Sequence, residues 1–327
     1  GYVGFIRGAL PEVEPKAPTD ISASRLFGGI GQAYLNTTIF DADEDVQVVF
    51  KASPFGTQSH GYEANNSFLL WAYGQRLLIR SGYRDSYGSD HHRNWMWSTR
   101  SVNNITVNGN GQGRRTAEAR GHITAFKTTP EIDVVSGRAG DAYEPPLEAF
   151  ERTIIFIKPE LVVVYDRLRV KEPSTFTYWL HALNRFDVEN QHRIRATSDD
   201  VVCDINFLAP AGLAFEQTNQ YDPNPRPRIK LREWHLTATT TGRKRDMEFV
   251  TLYRLHREKD EVPHEAALVK ANGGYVLRAQ VRNGRATALL PSSDQIAMAA
   301  AGLSTHGGIA CRLERKGEPD VVVQTGP

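Results

Sequence analysis

The stretch TIIFI at residues 153–157 and the stretch LVVVY at residues 161–165 are rich in β-branched and aromatic residues, and KPE at 158–160 separates them. Runs of this composition favour β-strands, and a three-residue connection between two of them is typical of an antiparallel hairpin. This segment therefore predicts two neighbouring strands of one sheet.

Turn dipeptides punctuate the chain on both sides of that hairpin. Asn108-Gly109 follows an apolar run at 105–107, and Asn283-Gly284 separates runs at 275–282 and 285–290. Asn-Gly favours hairpin turns because both residues tolerate positive φ. Further strand candidates share the same composition and are residues 46–50, 176–180, 194–196, 201–207, 229–238, 248–255 and 321–324.

These patterns together predict an all-β protein. Many short strands without a fixed-period repeat favour one large antiparallel β-sandwich over a propeller or a β-helix. Residues 294–303 are alanine-rich and fit either a short helix or the end of a strand. We expect residues 1–24 to be a linker, because prolines and acids dominate their second half, and residues 25–327 to be a single sandwich domain.

The composition excludes some functions. Among 327 residues, 39 are Lys or Arg and 38 are Asp or Glu, and a net charge of +1 argues against a nucleic-acid binder. No apolar run reaches the roughly 18 residues of a membrane helix. Residues 1–8 do not resemble a signal peptide. Cys203 and Cys311 fit either one disulfide or two buried thiols.

Cationic and aromatic residues are concentrated between Ser59 and Gln112. Three of the ten histidines and three of the five tryptophans lie there, with four arginines between positions 80 and 100. Arginine and histidine suit carboxylate or sulfate, and indole faces suit the C–H surface of a sugar ring. The candidate contacts to an anionic sugar are Arg84, His91, His92, Arg93, Trp95, Arg100, Asn66 and Asn104. The alternative is that the tryptophans anchor a core, the arginines guard strand edges and the asparagines serve turns.

Three motifs occur in an informative order in this stretch. They are SHGYEANNSF at 59–68, LLIRSGY at 77–83 and WMWSTRSVNNITVNGNGQ at 95–112. In this order they resemble the β-domain of heparinase II/III-like polysaccharide lyases. ERTIIF at 151–156 and the segment at 164–168, VYDRL, extend the resemblance.

The resemblance implies a larger protein. Members of the family join an N-terminal (α/α) toroid to a β-sandwich, and the active cleft lies between the two. This chain shows no toroid helices, so residues 1–24 would be a linker or the remnant of that upstream helical domain, which would itself be a partner. The resemblance and the size of the substrate also imply a periplasmic or secreted location.

The resemblance further implies β-elimination on a uronic-acid polysaccharide. His60 matches the first histidine of the family's S-H-G-H segment, which implies a catalytic role as base or carboxylate neutraliser. The tyrosine that transfers the proton in such lyases usually lies in the helical part. The polymer, its sulfation, and endo or exo action stay open.

The zinc site of that family is not expected here. Tyr62, Arg80 and Asn103 stand where the family has its zinc ligands, and a guanidinium cannot coordinate a metal. Asp90, His91 and His92 offer donor atoms, but adjacent histidines on a strand point to opposite faces. We therefore expect no metal and no other cofactor.

Two other functions remain open. One is a non-catalytic carbohydrate-binding or purely architectural sandwich, which the substituted zinc positions favour. The other is a glycoside hydrolase, but no pair of acids is distinguished by a motif.

Overall fold

The computed structural model describes residues 2–8, 14–83, 85–190 and 193–326. Helical elements are short: α1 (Tyr2–Gly8), a π-helical turn (His92–Met96) and two 3₁₀ turns (Thr99–Ser101 and Gly140–Ala142). None of the helices in these ranges is long and apolar enough to cross a bilayer.

Strands make up most of the regular structure. Along the first half of the chain they are β1 (Arg25–Phe27), β2 (Gln32–Asn36), β3 (Val46–Lys51), β4 (Ser67–Ala72), β5 (Gln75–Leu78), β6 (Ile105–Val107), β7 (His122–Thr128), β8 (Ile132–Arg138), β9 (Ala149–Ile157), β10 (Leu161–Ser174), β11 (Phe176–Ala182) and β12 (Asp187–Val188). Along the second half they are β13 (Arg193–Ser198), β14 (Val201–Ala209), β15 (Leu213–Thr218), β16 (Trp234–Thr240), β17 (Lys244–Arg257), β18 (Ala266–Ala271), β19 (Gly274–Val281), β20 (Gly284–Pro291), β21 (Ala297–Ala300), β22 (Leu303–His306), β23 (Ala310–Arg315) and β24 (Val321–Gln324).

An eight-stranded antiparallel sheet lies at the centre, in the order β12-β13-β14-β17-β10-β9-β8-β7. Side chains of its middle strands alternate between two cores: Ile154 and Phe156 face one, and Ile155 and Ile157 face the other. The first core is shared with the sheet β1-β2-β3-β4-β5 and the sheet β15-β16-β11-β6. The second is shared with the C-terminal sheet β18-β19-β20-β23-β24. Burial on both faces explains why residues 154–157 of β9 and 161–165 of β10 form continuous apolar runs.

The predicted all-β antiparallel sandwich is confirmed, and so are the hairpin and the turn that local sequence patterns predicted. Residues 158–160 connect β9 to β10 in a hairpin. Asn108 and Gly109, both at positive φ, form the two-residue loop after β6. The later Asn-Gly turn is displaced by one residue, because Val281 pairs with Gly284 and the loop is Arg282-Asn283.

Some segments differ from the predictions. Residues 229–233 were expected to be a strand, but β16 begins only at Trp234. Residues 294–303 were expected to form either a short helix or the end of a strand. The strand is confirmed, since β21 and β22 form a hairpin there. The segment around His91 and His92 is helical and not extended. Both cysteines are free and buried, Cys203 in the first core and Cys311 in the second.

A fully buried ion pair crosses the β9–β10 hairpin. Arg152 and Asp166 are register partners, and the guanidinium Nε and Nη2 donate to the two carboxylate oxygens at 2.6 and 3.0 Å. Nη1 donates to the backbone carbonyls of Asn66 at 2.7 Å and Asn103 at 3.1 Å. Burial alone would lower the pKa of Arg152, but the carboxylate of Asp166 outweighs this effect and raises it. The pair therefore ties the central sheet to two loops outside it.

A second polar cluster lies between β11 and β16. The Nδ1 atoms of His181 and His235 are 3.0 Å apart. The Oγ of Ser81 lies 3.1 Å from the Nδ1 of His235. The indole of Trp95 packs 4.8 Å from the His235 ring. Burial lowers the pKa of His235 to about 4, with a further contribution from His91. Burial and then the neighbouring His235 lower the pKa of His181 well below its ordinary value.

Replacing Asp166 with Asn leaves the Arg152 charge buried without its counter-charge. We expect the free energy of unfolding, measured by urea titration, to fall by about 3–5 kcal/mol. The matched control is Asp246→Asn, which breaks an exposed pair with Arg169 on the same strand β10, at 2.6 Å. That change should cost less than about 1 kcal/mol, and equal losses in the two variants would contradict the structural role of the buried pair.

The buried histidines predict a loss of stability in mild acid. Their pKa values are depressed in the folded protein, so the unfolded chain takes up protons first as the pH falls from about 6.5. The stability is therefore fully present above pH 6.5 and is lost toward pH 4, with His235 alone contributing about 3 kcal/mol.

Urea unfolding at a series of pH values measures this dependence. His235→Gln should flatten the profile between pH 6.5 and 4. The matched control, His122→Gln at an exposed position on β7, should keep the wild-type slope. A wild-type slope in the His235 variant would show that the cluster does not titrate in this way.

Candidate functional site

His60 lies at the tip of the loop that connects β3 to β4. The base of this loop is fixed by Asn65, whose Oδ1 accepts from the Ser53 N–H at 2.7 Å and whose Nδ2 donates to the Ala119 carbonyl at 2.8 Å. The side-chain amide of Gln112 binds the backbone of Asn65 twice: it accepts from the N–H at 2.9 Å and donates to the carbonyl at 2.7 Å. The imidazole of His60 itself is exposed to solvent. A firmly held loop thus presents this ring on the surface.

Beside His60 lies a column of three side chains, which we call the Arg80 stack: Arg80, Tyr62 and Trp97. The guanidinium carbon of Arg80 lies 3.7 Å from the centre of the Tyr62 ring. Tyr62 stacks on Trp97 with 4.7 Å between ring centres and 25° between planes. The ring of Trp97 lies 6.4 Å from that of His60, and the guanidinium of Arg115 is 5.6 Å from Trp97.

A hydrogen bond to the backbone of Met96 holds Arg80 in place. The Nη2 of Arg80 donates to the carbonyl of Met96 at 2.5 Å. Burial lowers the pKa of Arg80, which nevertheless stays cationic because guanidinium is too basic to lose its proton in a protein. The result is a cation held against one face of the Tyr62 ring.

Glu63 fixes the neighbouring turns of the site. Its buried carboxylate accepts from the Nε of Arg114 at 2.7 Å and from the N–H of Thr99 at 3.2 Å. Burial raises the pKa of Glu63, and Arg114 partly offsets that rise. Its backbone N–H donates to the carbonyl of Trp97 at 3.0 Å. The loop of His60 and the segment of Trp97 are therefore held to each other.

The structure brings some of the predicted contacts to this surface. His92 is buried just beneath it, where it accepts from the Trp97 Nε1 at 3.1 Å, and Tyr87 lies over it with 4.9 Å between rings. Arg93 is exposed on the same helical turn. Arg100 is partly exposed and pairs with Asp222 at 3.5 Å. Arg84 lies outside the described residues.

Other predicted contacts lie inside the protein. His91 is 1% exposed, and its Nδ1 is 2.8 Å from the Pro223 carbonyl. Trp95 packs inward against His235. Asn66 and Asn104 are fully buried, and their amides donate to the carbonyls of Gly137 at 3.1 Å and Asn65 at 2.9 Å. We assign these four residues to the scaffold beneath the surface, because none of them reaches it.

The positions where the family carries zinc ligands do not suit zinc here. Arg80 is cationic, and Tyr62 is covered by its guanidinium. The amide of Asn103 donates to the carbonyls of Phe68 and Ile79 at 2.8 and 3.1 Å, and it accepts from the His181 N–H at 2.9 Å. Across the described ranges, no group of three or more His, Cys, Asp or Glu residues is arranged to hold a metal. No step of the chemistry below is therefore assigned to zinc.

Sequence reasoning missed Trp97 and Arg115. It selected Trp95, two residues away, as the ring that contacts sugar, but both indoles are buried, Trp95 at 3% exposure and Trp97 at 6%. Because the segment is a helical turn, positions 95 and 97 face different sides, which a strand reading conceals. Arg114-Arg115 follows the last motif after a single glycine, Gly113, so this pair of cations was a usable signal.

A cleft of about 680 Å³ lies elsewhere, between the central sheet and the C-terminal sheet. Five of its eight charged side chains pair with one another, as Arg167 does with Glu151 and Asp294 and as Arg169 does with Asp246. Because most of these charges are already neutralised, we place the candidate site at the surface around His60.

Comparison with known proteins bears on the fold. Among solved structures, the chain is similar to heparan sulfate lyase HepC from Pedobacter heparinus, with a TM-score of 0.67 and 18% identity over 85% of this chain and 43% of that one. It is also similar to two heparinase III structures. One has a TM-score of 0.66 and 15% identity over 81% of this chain and 41% of that one. The other has a TM-score of 0.59 and 11% identity over 92% of this chain and 42% of that one.

At these identities the structures show a shared fold, and this chain spans less than half of their length. No curated protein matches the chain. A family model described as "Heparinase II/III-like, C-terminal" matches residues 22–264. That range is well over half of the chain and includes both the His60 loop and the β9–β10 hairpin, so the chain belongs to the heparinase II/III-like C-terminal family.

Proposed function

We propose that this chain is the β-domain of a lyase that cleaves uronic-acid polysaccharide by β-elimination, with His60 as a catalytic residue. The observation that carries the proposal is the exposed imidazole of His60 beside the Arg80 stack. A structural histidine is normally buried and hydrogen-bonded, as His181 and His235 are in this same protein.

The reaction needs two proton transfers. A base takes the C5 proton of the uronate, and the electron pair left on C5 forms the C4–C5 double bond. The C4–O bond then breaks, and the departing glycosidic oxygen receives a proton from an acid. In the proposal, His60 takes the C5 proton or stabilises the carboxylate-linked charge that develops. The acid is expected from the helical part of the protein, as the family resemblance implies.

The surroundings of His60 supply the other requirements. Arg80 and the exposed Arg115 provide fixed positive charge near the uronate carboxylate, which makes the C5 proton more acidic. The ring of Tyr62 is held between the guanidinium of Arg80 and the buried indole of Trp97, so its exposed edge is the part that can touch a sugar. In the proposal, this exposed surface forms one wall of a cleft that a second domain closes. A periplasmic or secreted location is part of this proposal, since such polymers lie outside the cytoplasm.

His60→Ala tests the proposal in the full-length protein that contains this chain. On a panel of uronate polymers, the wild type should raise the ultraviolet absorbance, because the new double bond is conjugated with the carboxylate. The variant should lose about 10²- to 10⁴-fold in kcat, as expected for removal of a general base. Its thermal unfolding should match that of the wild type, because His60 is exposed.

The matched control is His122→Ala, which removes an exposed histidine on β7 and should leave the rate unchanged. Wild-type activity in the His60 variant would remove His60 from the mechanism. Binding of uronate polymers by the wild type without any absorbance change would favour the non-catalytic carbohydrate-binding alternative.

A further inference from the structure

The segment between Tyr221 and β16 carries an unusual density of positive charge. Its sequence from 222 to 233 is DPNPRPRIKLRE, with four cations at alternating positions from 226 to 232 and no acid between 223 and 232. We call residues 226–232 the basic loop. The whole chain has a net charge of only +1, so this concentration is local.

Both ends of the basic loop are fixed to the protein. The hydroxyl of Tyr221 donates to the carboxylate of Glu233 at 2.9 Å, and the same carboxylate accepts from the Gly82 N–H at 2.7 Å. Arg226 forms an ion pair with Asp85, and the Ile229 N–H donates to the Arg226 carbonyl at 2.9 Å. The loop therefore holds a defined shape outside regular secondary structure.

Three of its cations have no acidic partner. Many arginines elsewhere pair with a carboxylate, as Arg257 does with Asp200 at 3.1 Å and Arg285 with Glu314 at 2.9 Å. Arg228, Lys230 and Arg232 are exposed, and none of them forms an ion pair with any residue that the structure describes. Holding three like charges close together costs free energy, which an anionic ligand would recover.

The basic loop adjoins the candidate site. Pro223, just before it, contacts His91, and the next residue, His92, touches Trp97 of the Arg80 stack. The centre of the Trp97 ring lies 6.4 Å from that of His60. Arg93, exposed on the same helical turn as His92, adds a further cation to this part of the surface.

We propose that the basic loop binds the sulfate or carboxylate groups of the polysaccharide, along the part of the chain that extends away from the sugar at His60. This inference rests on the proposed function for the identity of the polymer, whereas binding by the loop requires no catalysis. Alternating cations on a loop suit a polymer that carries an anionic group on successive sugars, because each cation meets a separate group.

The test compares two triple variants of the same charge change. The first replaces Arg228, Lys230 and Arg232 with Gln. The matched control replaces Arg243, Lys244 and Arg245 with Gln; these residues are also exposed and lie beyond the other end of β16, about 20 Å away along the strand. Binding of heparin and of an unsulfated uronate polymer is titrated over a range of salt concentrations, and thermal unfolding checks that each variant is folded.

We expect the loop variant to bind heparin about 10- to 100-fold more weakly, with a salt dependence shallower by about two to three released ions. The control should bind within about twofold of the wild type. Loss for both polymers identifies carboxylate as a sufficient ligand, and loss for heparin alone identifies sulfate. A double variant that keeps the charge, Arg228→Lys with Arg232→Lys, should retain most of the affinity.

Wild-type binding by the loop variant, or equal losses in the loop and control variants, would overturn the inference. So would a loop variant that loses binding to a DNA oligonucleotide but keeps binding to both sugars. The two proposals fail separately: loop-dependent binding without cleavage of any polymer rejects the lyase function, and His60-dependent cleavage with loop-independent binding rejects the loop.

Discussion

The buried pair of Arg152 and Asp166 is the interaction on which the rest of the structure depends. A guanidinium has five N–H donors in a fixed plane, and here they are divided between a carboxylate on the adjacent strand and two backbone carbonyls on separate loops. One carbonyl belongs to Asn66, which ends the His60 loop at positive φ, and the other to Asn103. An apolar pair of similar volume would fill the same space but would leave both carbonyls without a donor in the core. The side chain of Arg152 thereby connects the central sheet to the His60 loop.

The candidate site lies on this scaffold, and hydrogen bonds hold the loops that carry its side chains. Asn65 and Gln112 hold the base of the His60 loop, and Glu63 links that loop to the Trp97 segment. The Arg80 stack then places a cation where the family resemblance implies a metal. A guanidinium over an aromatic ring gives positive charge and rigidity without metal coordination. The charge is permanent over the physiological pH range, so the local field does not depend on the supply of an ion.

Local sequence signals predicted the parts of the fold that local interactions determine. The 158–160 connection and Asn108-Gly109 are decided by neighbouring residues, so the sequence was sufficient there. Burial was not predictable in the same way, because it depends on elements far apart in the chain: Asn66 is covered by β8 and β9, and His91 by the segment at Pro223. Residues 229–232 alternate apolar and charged side chains like a strand, but no strand in the described part of the chain pairs with them.

The contrast among the histidines argues for where chemistry is located in this protein. His181 and His235 share one buried cluster in which neither ring gains a counter-charge, so the low dielectric surroundings keep both neutral. Proton transfer there would place a charge in the core without a partner. His60 is instead exposed on a firmly held loop beside the Arg80 stack, which is the position that the proposed function requires. The proposed catalytic role therefore falls to the exposed ring, and the buried pair is part of the scaffold that β11 and β16 form.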